Sequence, residues 1–96
     1  MLEVIARVTL VGARHGGLDK PVRNGLRPSF DYAGELVACE LWAEGVDELV
    51  PLDQPFRARV RLPYGDRLGW SFAGGEPFAL NIASQVIGEG VVLSVV

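Results

Sequence analysis

The sequence predicts an all-β domain, a small antiparallel barrel of about six strands. Apolar and polar residues alternate over Glu3 to Val11 and over Phe56 to Leu62, the two-residue period of a strand with one face toward a core. No window of roughly eleven residues keeps a helical period. Glycine and proline, 12 and 6 residues in all, recur along the whole chain and cut it into short segments. About six strands are too few for a typical immunoglobulin-like sandwich, and closing them into a barrel removes the exposed edges of an open sheet.

In chain order, the first strand places Val4, Ala6, Val8 and Leu10 on one side and Glu3, Arg7 and Thr9 on the other. The stretch His15 to Pro28 follows, with three glycines, two prolines and four basic groups. Gly permits positive φ and Pro fixes φ without a donor, so the stretch reads as a shaped loop, and a loop of this length is usually functional. Phe30 to Tyr32 and Leu36 to Trp42 read as strand, the latter bent or bulged once. Glu44 to Pro55, with Gly45, Pro51 and several acids, is a connection. Phe56 to Leu62 is the clearest strand, with Phe56, Ala58, Val60 and Leu62 alternating with Arg57, Arg59 and Arg61. Pro63 to Pro77 is turn-rich around a short Trp70-Ser71-Phe72 piece. Phe78 to Ala83 and Val86 to Val96 complete the set, the last interrupted by Gly88 and Gly90.

Composition narrows the function classes. The 96 residues, 49% of them hydrophobic, suit a single domain over residues 1–96. A net charge of −3 argues against non-specific nucleic-acid binding. The one cysteine, Cys39, excludes an internal disulfide and a Cys-based metal site, and its apolar setting suggests a buried thiol. Glu3 and Arg7 interrupt any signal-peptide core, and the longest apolar run, Val91 to Val96, is far shorter than the roughly 20 residues of a membrane span. The expectation is a soluble cytoplasmic protein with no membrane contact.

No G-x-x-x-x-G-K-[ST] occurs, so no nucleotide is expected. Gly69-Trp-Ser71-Phe-Ala73 loosely resembles a nucleophile elbow, yet it lies in turn-rich β sequence, and His15 is the only histidine available as a base. The expectation is a non-enzyme without cofactor or metal. Glu44, Asp47, Glu48 and Asp53 lack EF-hand spacing and read as a solvated acidic face.

Charge is segregated. Between Pro28 and Phe56 lie seven acids, Asp31, Glu35, Glu40, Glu44, Asp47, Glu48 and Asp53, and no base. Basic groups gather at Lys20, Arg23 and Arg27 and at Arg57, Arg59, Arg61 and Arg67. The excess of Arg over Lys also fits codon bias in a high-GC genome. The row Arg57, Arg59, Arg61 either pairs across strands with Glu40 and its neighbours or forms a basic stripe for an acidic partner or RNA. Trp42 and Trp70 read as core or rim packing, and an exposed pair would mark an interface.

Gly16-Gly17, Pro21, Gly25, Arg27-Pro28 and Phe30 stand at the spacing G-G-x-x-x-P-x-x-x-G-x-R-P-x-F, which resembles the C-terminal (third) β-barrel domain of elongation factor Tu. Glu44-Gly-Val46, Pro51-x-Asp53, Phe78-Ala79-Leu80 and Val86-Ile-Gly-Glu-Gly-Val-Val92 follow in the family's order. The resemblance implies a six-stranded antiparallel barrel. In the family this domain helps hold the T stem of aminoacyl-tRNA, packs against the nucleotide domain and contacts the exchange factor. The tRNA-facing Arg-His pair of the family corresponds here to Leu18 and Asp19, its Gln after Arg-Pro to Ser29, and its Gly-Gly-Arg to Ala83-Ser84-Gln85. Losing those cations and gaining an acid turns phosphate attraction into repulsion, so tRNA contact is not expected to follow the family pattern.

The glycines, prolines and Phe30 would then preserve the loop's path. The expected function is a non-catalytic module that binds a protein partner, in the manner of a translation-factor mimic, decoy or immunity protein. Its candidate surfaces are Lys20, Pro21, Arg23 and Arg27 in the loop and Arg57, Arg59 and Arg61 on the strand. The alternative is RNA or tRNA binding through a reorganised basic stripe.

Overall fold

The two-residue period of the sequence becomes strand pairing in the computed structural model, which describes residues Met1–Val96. The strands are β1 (Leu2–Leu10), β2 (Val22–Arg23), β3 (Ser29–Tyr32), β4 (Glu35–Ala38), β5 (Glu40–Ala43), β6 (Leu49–Val50), β7 (Pro55–Leu62), β8 (Pro77–Ile82) and β9 (Gln85–Val95). Two single 3-10 turns, Ala13–His15 and Gly65–Leu68, are the only helical pieces. The fold is all-β, as the sequence predicts.

Seven strands form one antiparallel sheet in the order β4-β3-β8-β9-β1-β7-β5, and β2 pairs with β6 in a small separate ribbon. The sheet curls, and its two edge strands are neighbours in the chain, separated by Cys39 alone. The segment expected as one strand with a bend changes partner there: β4 pairs with β3, and β5 pairs with β7. This change of partner makes the count seven where six are expected from the sequence.

The open side of β5 is covered by the end of the long loop. The Ser29↔Ala38 register continues to a bridge between Leu26 and Leu41. There Cys39 N–H donates to Pro28 O at 3.1 Å, Leu41 N–H to Leu26 O at 2.8 Å, and Gly25 N–H to Leu41 O at 3.0 Å. The curled sheet thus folds back along this seam, where the Gly25, Cys39 and Leu41 amides find acceptors.

The inward positions carry the core. Val4, Ala6, Val8 and Leu10 of β1 pack with Ala58, Val60 and Leu62 of β7, Leu41 and Ala43 of β5, Phe30, Leu80, Ile87 and Val92. Phe30 stacks on Phe78 with ring centroids 4.4 Å apart, and Trp70 and Phe72 close one end of the core against Phe30 and Tyr32. The Trp70-Ser71-Phe72 piece lies outside the strands. Its aromatic side chains pack, while its backbone stays outside the ladder.

β9 runs unbroken through Gly88 and Gly90, contrary to the interruption expected there. A Cβ on Gly90 would lie 2.6 Å from the Phe78 ring and 2.7 Å from Arg7 O. The absent side chain therefore makes room for a neighbour across the sheet, and the strand continues.

Cys39 is buried, and its Sγ lies 3.4 Å from Pro28 O. Burial first, and the adjacent Glu40 carboxylate second, push its thiol up to about 12. No helix is long and apolar enough to cross a membrane.

Candidate functional site

The loop from His15 to Pro28 is held in one shape from end to end. Gly16 follows the first 3-10 turn with φ +82°, a left-handed conformation that ends it. Gly17 then runs so close to Val11 that a Cβ would fall on the Val11 carbonyl oxygen, the same oxygen that accepts the Leu18 N–H at 2.7 Å. Val22 and Arg23 pair with Val50 and Leu49. The loop and the Glu44 to Pro55 connection thus each contribute a short strand, where the sequence suggests irregular chain on both sides. Two residues per strand give too little alternation to be read.

Asn24 carries the main fixation. Its Nδ2 donates to Ala43 O at 3.1 Å and Val46 O at 2.9 Å, and its Oδ1 accepts from Ala43 N–H at 2.8 Å and Gly25 N–H at 3.2 Å. One side chain therefore ties the loop to the turn after β5. Gly25, at φ +90°, lies under the Trp42 ring, which a Cβ would approach to 2.9 Å. Gln85 donates from its Nε2 to Gly17 O at 3.2 Å and also to Gly16 O, so the start of β9 pins the loop.

Pro28 and Phe30 are buried at the loop's exit. Of the residues expected to shape the loop, Gly16, Gly17, Gly25 and Pro28 lie along it, and Phe30 lies in β3 just past its end. Asn24 and Gln85 are not distinguished in the sequence, because an Asn in a Gly-rich loop reads as a local turn former and the Gln85 contact spans 68 residues or more.

Lys20, Pro21 and Arg23 are exposed on this frame and line one open groove of about 700 Å³ with Leu18, Val22, Leu26 and Leu49. Lys20 and Arg23 enter none of the protein's ion pairs. Asp19, on the same rim, offsets part of their charge. Leu49 is 56% exposed, so the groove presents apolar surface to solvent between two cations.

Arg27 belongs to a different cluster. It reaches Glu40 at 3.6 Å, Glu40 also holds Arg61 at 3.3 Å, and Glu3 takes Arg61 at 3.5 Å and Arg59 at 3.2 Å. Arg57 pairs with Glu44 at 3.1 Å. The arginine row is thus paired across strands, the first of the two readings that the sequence leaves open.

Register explains the order of these pairs. Across β1 and β7, Arg61 faces Glu3, Arg59 faces Ile5 and Arg57 faces Arg7, while Glu40 of β5 flanks Arg61 on the other side. The acids expected as a solvated face include Glu44, used on Arg57, and Asp53, whose Oδ1 accepts the Gly12 N–H at 2.9 Å. His15 lies in a shallow depression with Thr9, Val11, Asp53, Val86 and Glu89, and Ser71 is outside it.

Glu40 is the centre of the charged cluster. The Trp42 indole N–H donates to it, and this bond first, then the Arg61 and Arg27 guanidinium groups, hold its carboxyl below the ordinary range against the opposing effect of partial burial. A carboxyl with a lowered folded-state pKa stabilises the fold above its unfolded pKa, and that stabilisation is lost as pH falls through the folded value. Glu40→Gln is expected to lower stability at neutral pH and to flatten its decline on acidification. Urea unfolding of both proteins across the acid range measures this. Equal pH slopes would contradict it.

No family model and no curated protein sequence matches the chain.

Proposed function

We propose that this chain is a non-catalytic binding module, built on a barrel like the third domain of elongation factor Tu, that engages a protein partner through the loop groove. The observation that carries the reading is the groove floored by half-buried Leu18, Val22 and Leu26 and the exposed Leu49, with the unpaired Lys20 and Arg23 on its lining, on a loop fixed by Asn24 and Gln85. A fixed surface loses little conformational entropy on binding, and apolar ground beside cations suits a partner with apolar side chains next to acids. The compensated arginine row supports a protein partner over RNA, because paired guanidinium groups offer phosphates less net charge.

Two measurements test this reading. Pull-down from native lysate is expected to recover a stoichiometric protein that Lys20→Glu and Arg23→Glu each release, with both variants folded by circular dichroism. Recovery unchanged by either substitution would remove the groove from the interface. Titration of labelled tRNA at two salt concentrations is expected to show no saturable binding, and a salt-dependent affinity lost on Arg57→Ala and Arg59→Ala would favour the RNA reading instead.

A further inference from the structure

Arg7 and Arg57 stand directly opposite each other on adjacent antiparallel strands. Side chains so placed have Cβ atoms about 4.5–5.5 Å apart, and like charges there destabilise the pair. Elsewhere in the row the repulsion is relieved, with Arg61 between Glu3 and Glu40. Here the relief is partial. Arg57 holds Glu44 through an exposed contact, and Arg7 enters no ion pair. Glu89 on β9, diagonal to Arg7 and opposite Thr9, is the other acid on this face, and it does not pair with Arg7 either.

Arg7 and Arg57 line one depression of about 190 Å³ with Pro55, Leu93 and Phe56, the last half-buried against the core. Leu93 sits at a bulge. On β9, Ser94 faces Ile5 and Val92 faces Ala6, so Leu93 is the unpaired extra residue between them. Bulges re-aim side chains, and Leu93 is 41% exposed as a wall of this depression.

We propose that this depression is a subsite for a carboxylate carried on an apolar chain. The carboxylate sits between Arg7 and Arg57, each able to form paired N–H bonds to it, and the apolar chain lies on Pro55 and Leu93. The bound anion relieves a repulsion that the fold compensates only in part. This site is separate from the loop groove and does not depend on the function proposed for it.

The test follows the Arg7 and Arg57 Nε–H resonances of the full chain by NMR while sodium hexanoate or sodium acetate is added at constant ionic strength. Both resonances are expected to move along one saturable curve. Hexanoate is expected to bind at least about fourfold more tightly than acetate, the factor expected for one buried methylene. Arg7→Gln is expected to abolish saturation at Arg57, and Glu44→Gln, which frees Arg57, to tighten binding severalfold. The proposal is overturned by no saturable shift at Arg7, by saturation that survives Arg7→Gln, by weaker binding in Glu44→Gln, or by equal affinity for the two acids.

Discussion

Gly17→Ala is expected to cost about 3 kcal/mol or more, the upper part of the range for an overpacked site, whereas the neighbouring Gly16→Ala costs only about 1 to 2 kcal/mol. The two glycines look alike in the sequence and differ in their surroundings. A Cβ on Gly16 meets nothing within 4 Å, so the whole cost there is its left-handed φ of +82°. At Gly17 the Cβ collides with the Val11 carbonyl, a backbone group already engaged by Leu18 N–H. The loop must leave β1 for the methyl to fit. Urea unfolding of the two variants measures the difference, and equal effects would contradict the close approach.

The second large effect is at Asn24. Asn24→Ala removes a donor pair and an acceptor shared by two amides, all partly buried. Each polar group left without a partner costs about 1–3 kcal/mol when water is excluded, and water reaches some of these, so a total near 3 kcal/mol is expected. Asn24→Asp keeps the acceptor but sets a carboxylate against the Ala43 and Val46 carbonyls. It is expected to destabilise about as much as the alanine, and a wild-type-like unfolding midpoint for Asn24→Asp would refute the donor role of the amide.

Much of the fold was legible because β1 and β7 keep a clean two-residue period and their apolar sides become the core. The bend in the Leu36 to Trp42 segment was legible from its broken alternation, but its meaning was not. Cys39 is where the chain exchanges β3 for β7, a fact of pairing between distant strands. Gly88 and Gly90 misled for the same reason. Their role is space for residues on neighbouring strands, and local sequence marks only the missing side chain.

In the candidate site, glycines and prolines marked the loop's shape, while Asn24 and Gln85, which hold it, act at long range. The acids between Pro28 and Phe56 did mark partners for the arginine row. They could not reveal that Arg57 faces Arg7, since register is set by the assembled sheet.

The loop from His15 to Pro28 is a fixed surface, and the proposed partner binding rests on that fixity. Amide hydrogen exchange tests it most directly, at Leu18, Asn24 and Gly25, whose N–H groups donate to Val11, Glu48 and Leu41 at 2.7, 2.8 and 3.0 Å. Protection at these three amides is expected to approach that of β1 and β7, and to fall selectively at Asn24 and Gly25 in Asn24→Ala. Exchange within about tenfold of the unstructured rate at all three, with the strands still protected, would contradict a fixed loop.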